Sequence, residues 1–93
     1  MEKFADLLEY DATLIKQDGS QEEYKGQGLK PMQEAVGGYV EGFHIDGLRA
    51  YCNEEGLYRN DLKPNTLLSK LGLFIKGNVV VFKSPEAEQK HFN

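Results

Sequence analysis

Residues 39–53 read YVEGFHIDGLRAYCN, and this stretch decides the fold. Two runs rich in strand-forming residues, 39–45 and 48–53, are separated only by Asp46 and Gly47. An Asp-Gly pair readily takes the positive φ values that a two-residue turn requires between two strands. The stretch therefore predicts an antiparallel β-hairpin.

The turn also fixes the register of the hairpin, because successive side chains of a strand point to opposite faces. The pairs predicted on one face, expected to be the core face, are Ile45–Leu48, Phe43–Ala50 and Glu41–Cys52. The pairs predicted on the other face, expected to meet solvent or a partner, are His44–Arg49, Gly42–Tyr51 and Val40–Asn53. Leu48, Ala50 and Cys52 should therefore be buried, and Arg49 and Tyr51 should be more exposed.

Two short helices are predicted, one before and one after the hairpin. Residues 29–36 carry apolar side chains at the spacing of one helical face, and Gly37 favours a left-handed stop. A second helix is expected to open within residues 63–66 and to end at Gly72, with Pro64 suited to its first turn.

Shorter runs indicate the other strands. Asp18-Gly19 predicts a polar hairpin between a strand from about Thr13 and a returning strand at residues 22–25. Further extended pieces are predicted at residues 57–58, 73–75 and 79–82. The last of these is apolar enough to be a central strand.

The predicted order of elements is β-β-α-β-β-α-β, which corresponds to a small α+β domain with one core and a mainly antiparallel sheet. A chain of 93 residues is one domain's worth. Residues 12–83 are expected to form this domain, residues 1–11 a lead and residues 84–93 a polar tail that frays.

Composition limits the classes of function. Hydrophobic content of 40% is typical of a globular protein, and no apolar run approaches the roughly 20 residues of a membrane-spanning helix. The net charge of −4 disfavours nucleic acid as a partner. One cysteine and two histidines are too few for a disulfide framework or a structural zinc site. The start carries no secretory signal pattern, so a cytoplasmic location is expected.

The motifs ATLI (12–15), VGGYVE (36–41), NEEG (53–56) and IKGNVVV (75–81) follow one another along the chain, with residues 60–65 before the last. On these motifs the chain resembles a family of small proteins of phages, plasmids and integrated elements, catalogued as domain of unknown function 3846. The resemblance covers residues 12–82. It implies a mobile-element origin and action inside a bacterial cell, and it implies no particular activity.

Glu41 is the first candidate for a functional residue. A carboxylate held among apolar neighbours opposite Cys52 would have a raised pKa and would serve as a proton carrier or as an anchor for a ligand. The favoured alternative is a structural acid that accepts hydrogen bonds from backbone N–H groups of the turn at residues 53–56.

His44, Arg49 and Tyr51 form a second candidate site. Arginine offers a bidentate fork and histidine a titratable donor to a phosphate or carboxylate, and the alternative is a solvated set of cross-strand neighbours. Arg49 and Tyr51 are expected to be dispensable for folding. Cys52 is predicted on the opposite face from His44, which disfavours a nucleophilic Cys–His pair and indicates a small core residue.

Gly26, Gly28 and Lys30 precede the first predicted helix and form a weak candidate for an anion-binding loop. The pattern lacks the third glycine of a dinucleotide fingerprint and the ending of a P-loop, so a plain linker is favoured. Glu54 and Glu55 are adjacent, so their carboxylates are expected to point apart. No third ligand is evident, so no metal site is predicted.

Three functions remain open. The leading hypothesis is a non-enzymatic phage or mobile-element protein that binds a host or element protein, counter-defence being one such role. The second is a binder of a small ligand, such as a nucleotide-type signal held between subunits of a homo-oligomer by His44, Arg49 and Tyr51. The third is a small hydrolase using Glu41, ranked last because no base, metal or nucleophile is placed beside it. No catalytic residue and no cofactor are predicted.

Overall fold

The Asp46-Gly47 turn organises one half of the sheet. In the computed structural model, which describes residues 3–92, Asp46 has a φ of 50° and Gly47 a φ of 82°, as a tight hairpin turn of this type requires. The strands Val40–Ile45 and Leu48–Asn53 pair antiparallel, with all six predicted residue pairs present. The predicted hairpin and its register are confirmed.

Short helices alternate with the strands along the chain. In chain order the elements are α1 (Phe4–Leu7), β1 (Ala12–Ile15), β2 (Gln21–Glu23), α2 (Leu29–Val36), β3 (Val40–Ile45), β4 (Leu48–Asn53), a 3₁₀ turn (Gly56–Tyr58), α3 (Thr66–Lys70), β5 (Val79–Phe82) and α4 (Pro85–Gln89). The sheet has the order β2-β1-β5-β4-β3, and all neighbouring strands are antiparallel. The predicted small α+β fold is confirmed. No helix among residues 3–92 has the length and apolar character needed to cross a membrane.

β5 lies at the centre of the sheet, as its valine run predicts, and its four residues have no solvent exposure. Val79 and Val81 belong to a core cluster on one face, whereas Val80 and Phe82 belong to a cluster on the other. Because both faces of this strand are buried, helices must cover the sheet on both sides.

The two core clusters are built from different helices. The first cluster, which includes residues of α1 and α3, comprises Phe4, Leu8, Ile15, Ile45, Ala50, Cys52, Leu68, Val79 and Val81. The second, which includes residues of α2 and α4, comprises Ala12, Tyr24, Met32, Val80, Phe82 and Ala87. One expectation is corrected here, because on the outer face of the hairpin Tyr51 packs against the second cluster and is half-buried, and Asn53 is buried.

Burial within the hairpin follows the predicted alternation in part. Ala50 and Cys52 are buried as predicted, but Leu48, next to the turn, is only half-buried. Arg49 and Tyr51 are also half-buried, because α4 packs over them. Glu41, expected among apolar neighbours, is exposed because β3 is an edge strand with no strand beyond it.

Both predicted helices are present. α2 spans residues 29–36 and ends at Gly37, which has a φ of 81°. α3 begins at Thr66 because the side chain of Asn65 caps it, accepting from the Leu68 N–H. Pro64 was expected in the first turn but lies before the cap.

Three other expectations about extended segments require correction. Residues 73–75 form a loop, because both sides of β5 are already paired, with β1 and β4. The next residue, Lys76, forms an isolated β-bridge with Pro64. Residues 57–58 lie in the 3₁₀ turn, where the Tyr58 N–H donates to the Glu55 carbonyl, and are not extended. β2 spans Gln21–Glu23 and not residues 22–25, since the loop before it is held by the Asp18 side chain.

The two ends of the described chain pack on the sheet. Phe4 of α1 and the adjacent Leu8 join the first core cluster. The polar tail that was expected to fray instead forms α4, capped by the Ser84 hydroxyl, which accepts from the Ala87 N–H at 3.1 Å. Phe92 packs against Phe82, with ring centroids 6.3 Å apart. The aromatic side chain of Phe92, in a segment that is otherwise polar, therefore packs against the second core cluster.

Candidate functional site

Arg49 and Tyr51 lie side by side on the second face of the sheet, where Arg49 Nε and the Tyr51 hydroxyl are engaged with Glu88 of α4. Arg49 Nε donates to the Tyr51 hydroxyl at 3.2 Å, and the guanidinium lies 5.2 Å from the centroid of the Tyr51 ring. The Tyr51 hydroxyl donates to the carboxylate of Glu88, which lies 3.4 Å from Arg49 Nε. The three side chains thus tie β4 to α4.

The surroundings keep the Tyr51 hydroxyl protonated. Partial burial raises the pKa of the Tyr51 phenol, and the hydrogen bond to the Glu88 carboxylate raises this pKa further. Gly42 leaves room for the arginine, since a Cβ there would lie 2.8 Å from a guanidinium nitrogen of Arg49. This arrangement is that of a structural clamp.

His44, the third member of the predicted set, faces a different depression. It is exposed and lies beside Phe4, Asp46 and Leu71 near the hairpin turn, whereas Tyr51 borders a depression with Phe92. The three side chains do not line one cavity among the described residues. Their role in binding stays a prediction.

The glycine loop before α2 is docked on the C-terminal segment. The Gly28 N–H donates to the His91 carbonyl at 2.7 Å, and His91 Nδ1 lies 2.6 Å from the Gly26 carbonyl. An anion cradle needs free N–H groups, and the Gly28 N–H is not free. Lys30 is exposed nearby. Anion binding here stays a prediction, and the geometry favours a structural loop.

Glu41 borders a small cleft at the open end of the hairpin, the end opposite the turn. This cleft, called here the Cys52 cleft, has a volume of about 130 Å³ and is lined by Glu41, Cys52, Asn53, Glu54, Gly56, Leu57, Phe74, Ile75 and Lys76. Burial raises the pKa of the Cys52 thiol to about 11, and the negative charge of Glu41 contributes. The thiol is therefore protonated near neutral pH and is a poor nucleophile.

Large apolar side chains are exposed at this end of the hairpin. Tyr39, Leu57, Tyr58 and Phe74, called here the open-end surface, are 66%, 65%, 85% and 63% exposed. Leu57 and Phe74 line the cleft together, and Tyr58 follows Leu57 in the same 3₁₀ turn. Tyr39 lies at the same end of the hairpin but lines a separate depression with Gln33, Gly38 and Glu55.

The open-end surface was missed by the sequence analysis. Leu57, Tyr58 and Phe74 lie in short apolar runs and Tyr39 opens the run 39–45; all have the composition of strands, and such runs usually indicate burial. One signal was available, because Leu57-Tyr58 directly follows the turn-forming residues 53–56. Apolar residues that continue a turn are placed on the surface more often than residues of a strand.

The charges beside the open-end surface are mainly negative. Glu41, Glu54 and Glu55 are exposed, and within residues 3–92 none of them forms an ion pair. Lys76 also lines the Cys52 cleft, with its ammonium donating to the Arg59 carbonyl at 3.3 Å, and the three acids outnumber it. The surface therefore presents apolar groups with an acidic border.

The described part of the chain presents no cluster of metal ligands. There, no group of three or more His, Cys, Asp or Glu side chains is placed to hold a metal ion. Glu54 and Glu55 lie in a turn without a third ligand.

Comparison with known proteins gives one match. A family model described as a domain of unknown function, DUF3846, matches residues 10–92. No curated protein and no solved structure matches the chain. The matched residues include all five strands of the sheet.

Proposed function

The chain belongs to the DUF3846 family, a domain of unknown function, and from this premise we propose that it is a non-enzymatic protein that acts by binding another protein. The observation that carries the proposal is the open-end surface. Monomeric proteins rarely expose several large apolar side chains together, and such clusters are typical of protein interaction sites.

The energetics of the open-end surface favour a protein partner. Burying one large apolar side chain contributes about 1.5–3 kcal/mol, and four such side chains lie at this end of the molecule. Two of the four are tyrosines, which are enriched among residues that dominate binding energy. The Cys52 cleft, at about 130 Å³, is smaller than the roughly 300–1,000 Å³ of typical small-ligand pockets, so this surface suits a macromolecule better.

The proposed setting is the cytoplasm of a bacterial host cell. The sequence resemblance to phage and mobile-element proteins supports a partner that is a host protein or another protein of the element. Counter-defence is one role that such binding would serve, because covering the surface of a defence protein requires no catalysis.

The test is affinity capture with matched variants. The wild-type protein, the double variant Leu57→Ser/Phe74→Ser and the control Leu29→Ser/Leu71→Ser are used as baits in lysate of a bacterial host, and bound proteins are identified. Leu29 and Leu71 are also exposed, at 58% and 43%, but lie outside the open-end surface. We expect a partner held by the wild-type protein and the control and lost from the open-end variant. A partner held equally by all three baits would reject the open-end surface.

The two alternative functions have less support from the geometry. For a small ligand, the Tyr51 hydroxyl and Arg49 Nε are already engaged with Glu88, so among the described residues only the terminal guanidinium nitrogens of Arg49 are left to bind an anion there. For a hydrolase, Glu41 is exposed at the rim of the cleft beside a thiol with a raised pKa. Ligand-dependent thermal stabilisation, or turnover of any ligand, would restore these alternatives.

A further inference from the structure

The two edges of the sheet differ in their protection. β2 has three residues, and its exposed Glu22 and Glu23 pair with Lys16 at 2.7 Å and Lys25 at 4.0 Å. β3 has six residues, contains neither lysine nor proline, and carries one acidic side chain, that of Glu41. Proteins commonly use short length, charges and proline to prevent an edge strand from pairing with another chain. One edge of this sheet is protected and the other is left open.

The backbone of β3 offers hydrogen-bonding groups to a further strand. In an antiparallel pair, every second residue exchanges backbone hydrogen bonds with the partner strand. The residues between them point their backbone N–H and C=O groups away from that partner. Because the two-residue turn makes Ile45–Leu48 a bonded pair, the outward groups are those of Val40, Gly42 and His44. These groups have no protein partner within the described residues. Gly42 and His44 are exposed.

We propose that the β3 edge binds an extended segment of a partner protein as a sixth strand, and that this segment combines apolar with basic side chains. The proposal rests on the proposed function and specifies its binding mode. In strand addition the backbone hydrogen bonds supply affinity, and pockets for alternate side chains supply specificity.

The Cys52 cleft provides the apolar pocket. It opens beside Glu41 on β3, and its volume of about 130 Å³ is close to that of a cavity of about 150 Å³ that accepts benzene in another protein. One aliphatic side chain of an added strand fits this space, against Leu57 and Phe74. A neighbouring apolar side chain of the segment would extend over the open-end surface.

The acidic border selects the charge of the segment. Glu41, Glu54 and Glu55 have no ion-pair partner among the described residues, and the whole chain has a net charge of −4. Lysine or arginine in the added strand would neutralise these acids, whereas an acidic segment would be repelled.

A second copy of the chain is a poorer occupant. Antiparallel self-pairing of β3 would place the open end of one copy beside the turn end of the other. The turn end carries Asp46, and neither β3 nor the turn contains lysine or arginine, so the acids near Glu41 would find a poorer charge match than a basic segment offers.

The test uses three fluorescent peptides in binding titrations with the full chain. The first alternates leucine and lysine, the second alternates leucine and glutamate, and the third is the leucine–lysine peptide with alternate backbone nitrogens methylated. We expect the first to bind, with affinity that falls as salt rises, and the other two to bind at least tenfold more weakly. Equal binding of the methylated peptide would overturn strand addition, and equal binding of the glutamate peptide would overturn the charge preference.

A pair of variants tests the same edge from the protein side. His44→Pro removes an outward N–H, and His44→Ala keeps this N–H while removing the same imidazole. We expect His44→Pro to lose at least tenfold in affinity for the leucine–lysine peptide and His44→Ala to lose little. Similar affinity of the two variants would overturn the proposal. If circular dichroism shows that His44→Pro does not fold, the methylated peptide decides alone.

Two further outcomes separate this inference from the proposed function. If a captured partner is lost from Leu57→Ser/Phe74→Ser but retained by His44→Pro, protein binding stands and strand addition fails. If light scattering shows a dimer that His44→Pro dissociates, the occupant of the edge is a second copy and the inference is overturned.

Discussion

At the scale of single residues, Cys52 connects the core to the candidate surface. It belongs to the first core cluster and is only 8% exposed, yet it also lines the Cys52 cleft beside Glu41. Burial raises the pKa of the Cys52 thiol to about 11 from its ordinary value of 9.0. Both the reactivity of this thiol and its effect on stability should therefore depend on pH.

We expect Cys52 to react slowly with a thiol reagent in the native protein near neutral pH and rapidly in denaturant, because the reactive thiolate is scarce and shielded. Absorbance assays with an aromatic disulfide measure both rates. Equal rates in the two states would show that the hairpin face carrying Cys52 is not buried.

The free energy of unfolding should also fall in alkali because of this residue. A folded-state pKa raised above the unfolded value stabilises the fold below about pH 9, and this contribution is lost as the pH rises to about 11. Urea unfolding of wild-type protein and Cys52→Ala across this range isolates the effect, since other titrating groups are shared. A parallel decline in both proteins would contradict the raised pKa.

At the scale of elements, α4 is held on the sheet by one polar cluster and by aromatic packing. Arg49, Tyr51 and Glu88 connect β4 to α4, and the Tyr51 ring lies 6.0 Å from Phe82 and 5.5 Å from Phe92. Tyr51 is therefore part of the packed structure, which replaces the expectation that Arg49 and Tyr51 are dispensable for folding.

Tyr51→Phe is expected to lower the free energy of unfolding by about 1–3 kcal/mol, because Glu88 loses a donor while half-buried. The matched control is Tyr10→Phe, which removes the same hydroxyl from a side chain that is 36% exposed and should change stability by less than about 0.5 kcal/mol. Denaturant unfolding measures both. A loss no larger than that of the control would show that the cluster does not stabilise α4.

At the scale of the whole molecule, stability should decrease from the centre of the sheet to its edges. β5 is bonded on both sides and has no exposed residue, whereas β3 is bonded only to β4. Amide protection follows such differences, because buried strands open only in global unfolding.

We expect hydrogen exchange to be slowest in β5 and fast at the outward amides of Gly42 and His44, while Phe43, bonded to Ala50, exchanges slowly. Nuclear magnetic resonance resolves these amides individually. Slow exchange at Gly42 and His44 in the free protein would mean that the β3 edge is already covered. Protection that appears there only with the leucine–lysine peptide would support strand addition.

The sequence by itself determined the features that depend on neighbouring residues. The positive φ of Asp46 and Gly47 set the hairpin, and the alternation of side chains then set every pair from Ile45–Leu48 to Val40–Asn53. The end of α2 at Gly37 and the central place of β5 followed from equally local signals. Backbone preferences and turn chemistry act over a few residues, so a single sequence contains them.

Only the tertiary structure decided which of these surfaces are covered. Tyr51 faces outward from the hairpin as predicted, but residues 85–92 return over it, and a polar segment gave no sign of that contact. Glu41 was expected in the core and is exposed because β3 is the edge of the sheet and no strand lies beyond it. Leu57 and Phe74 meet at the Cys52 cleft although 17 positions separate them in the chain. Such contacts depend on how distant segments pack together, and local propensity carries no information about their pairing.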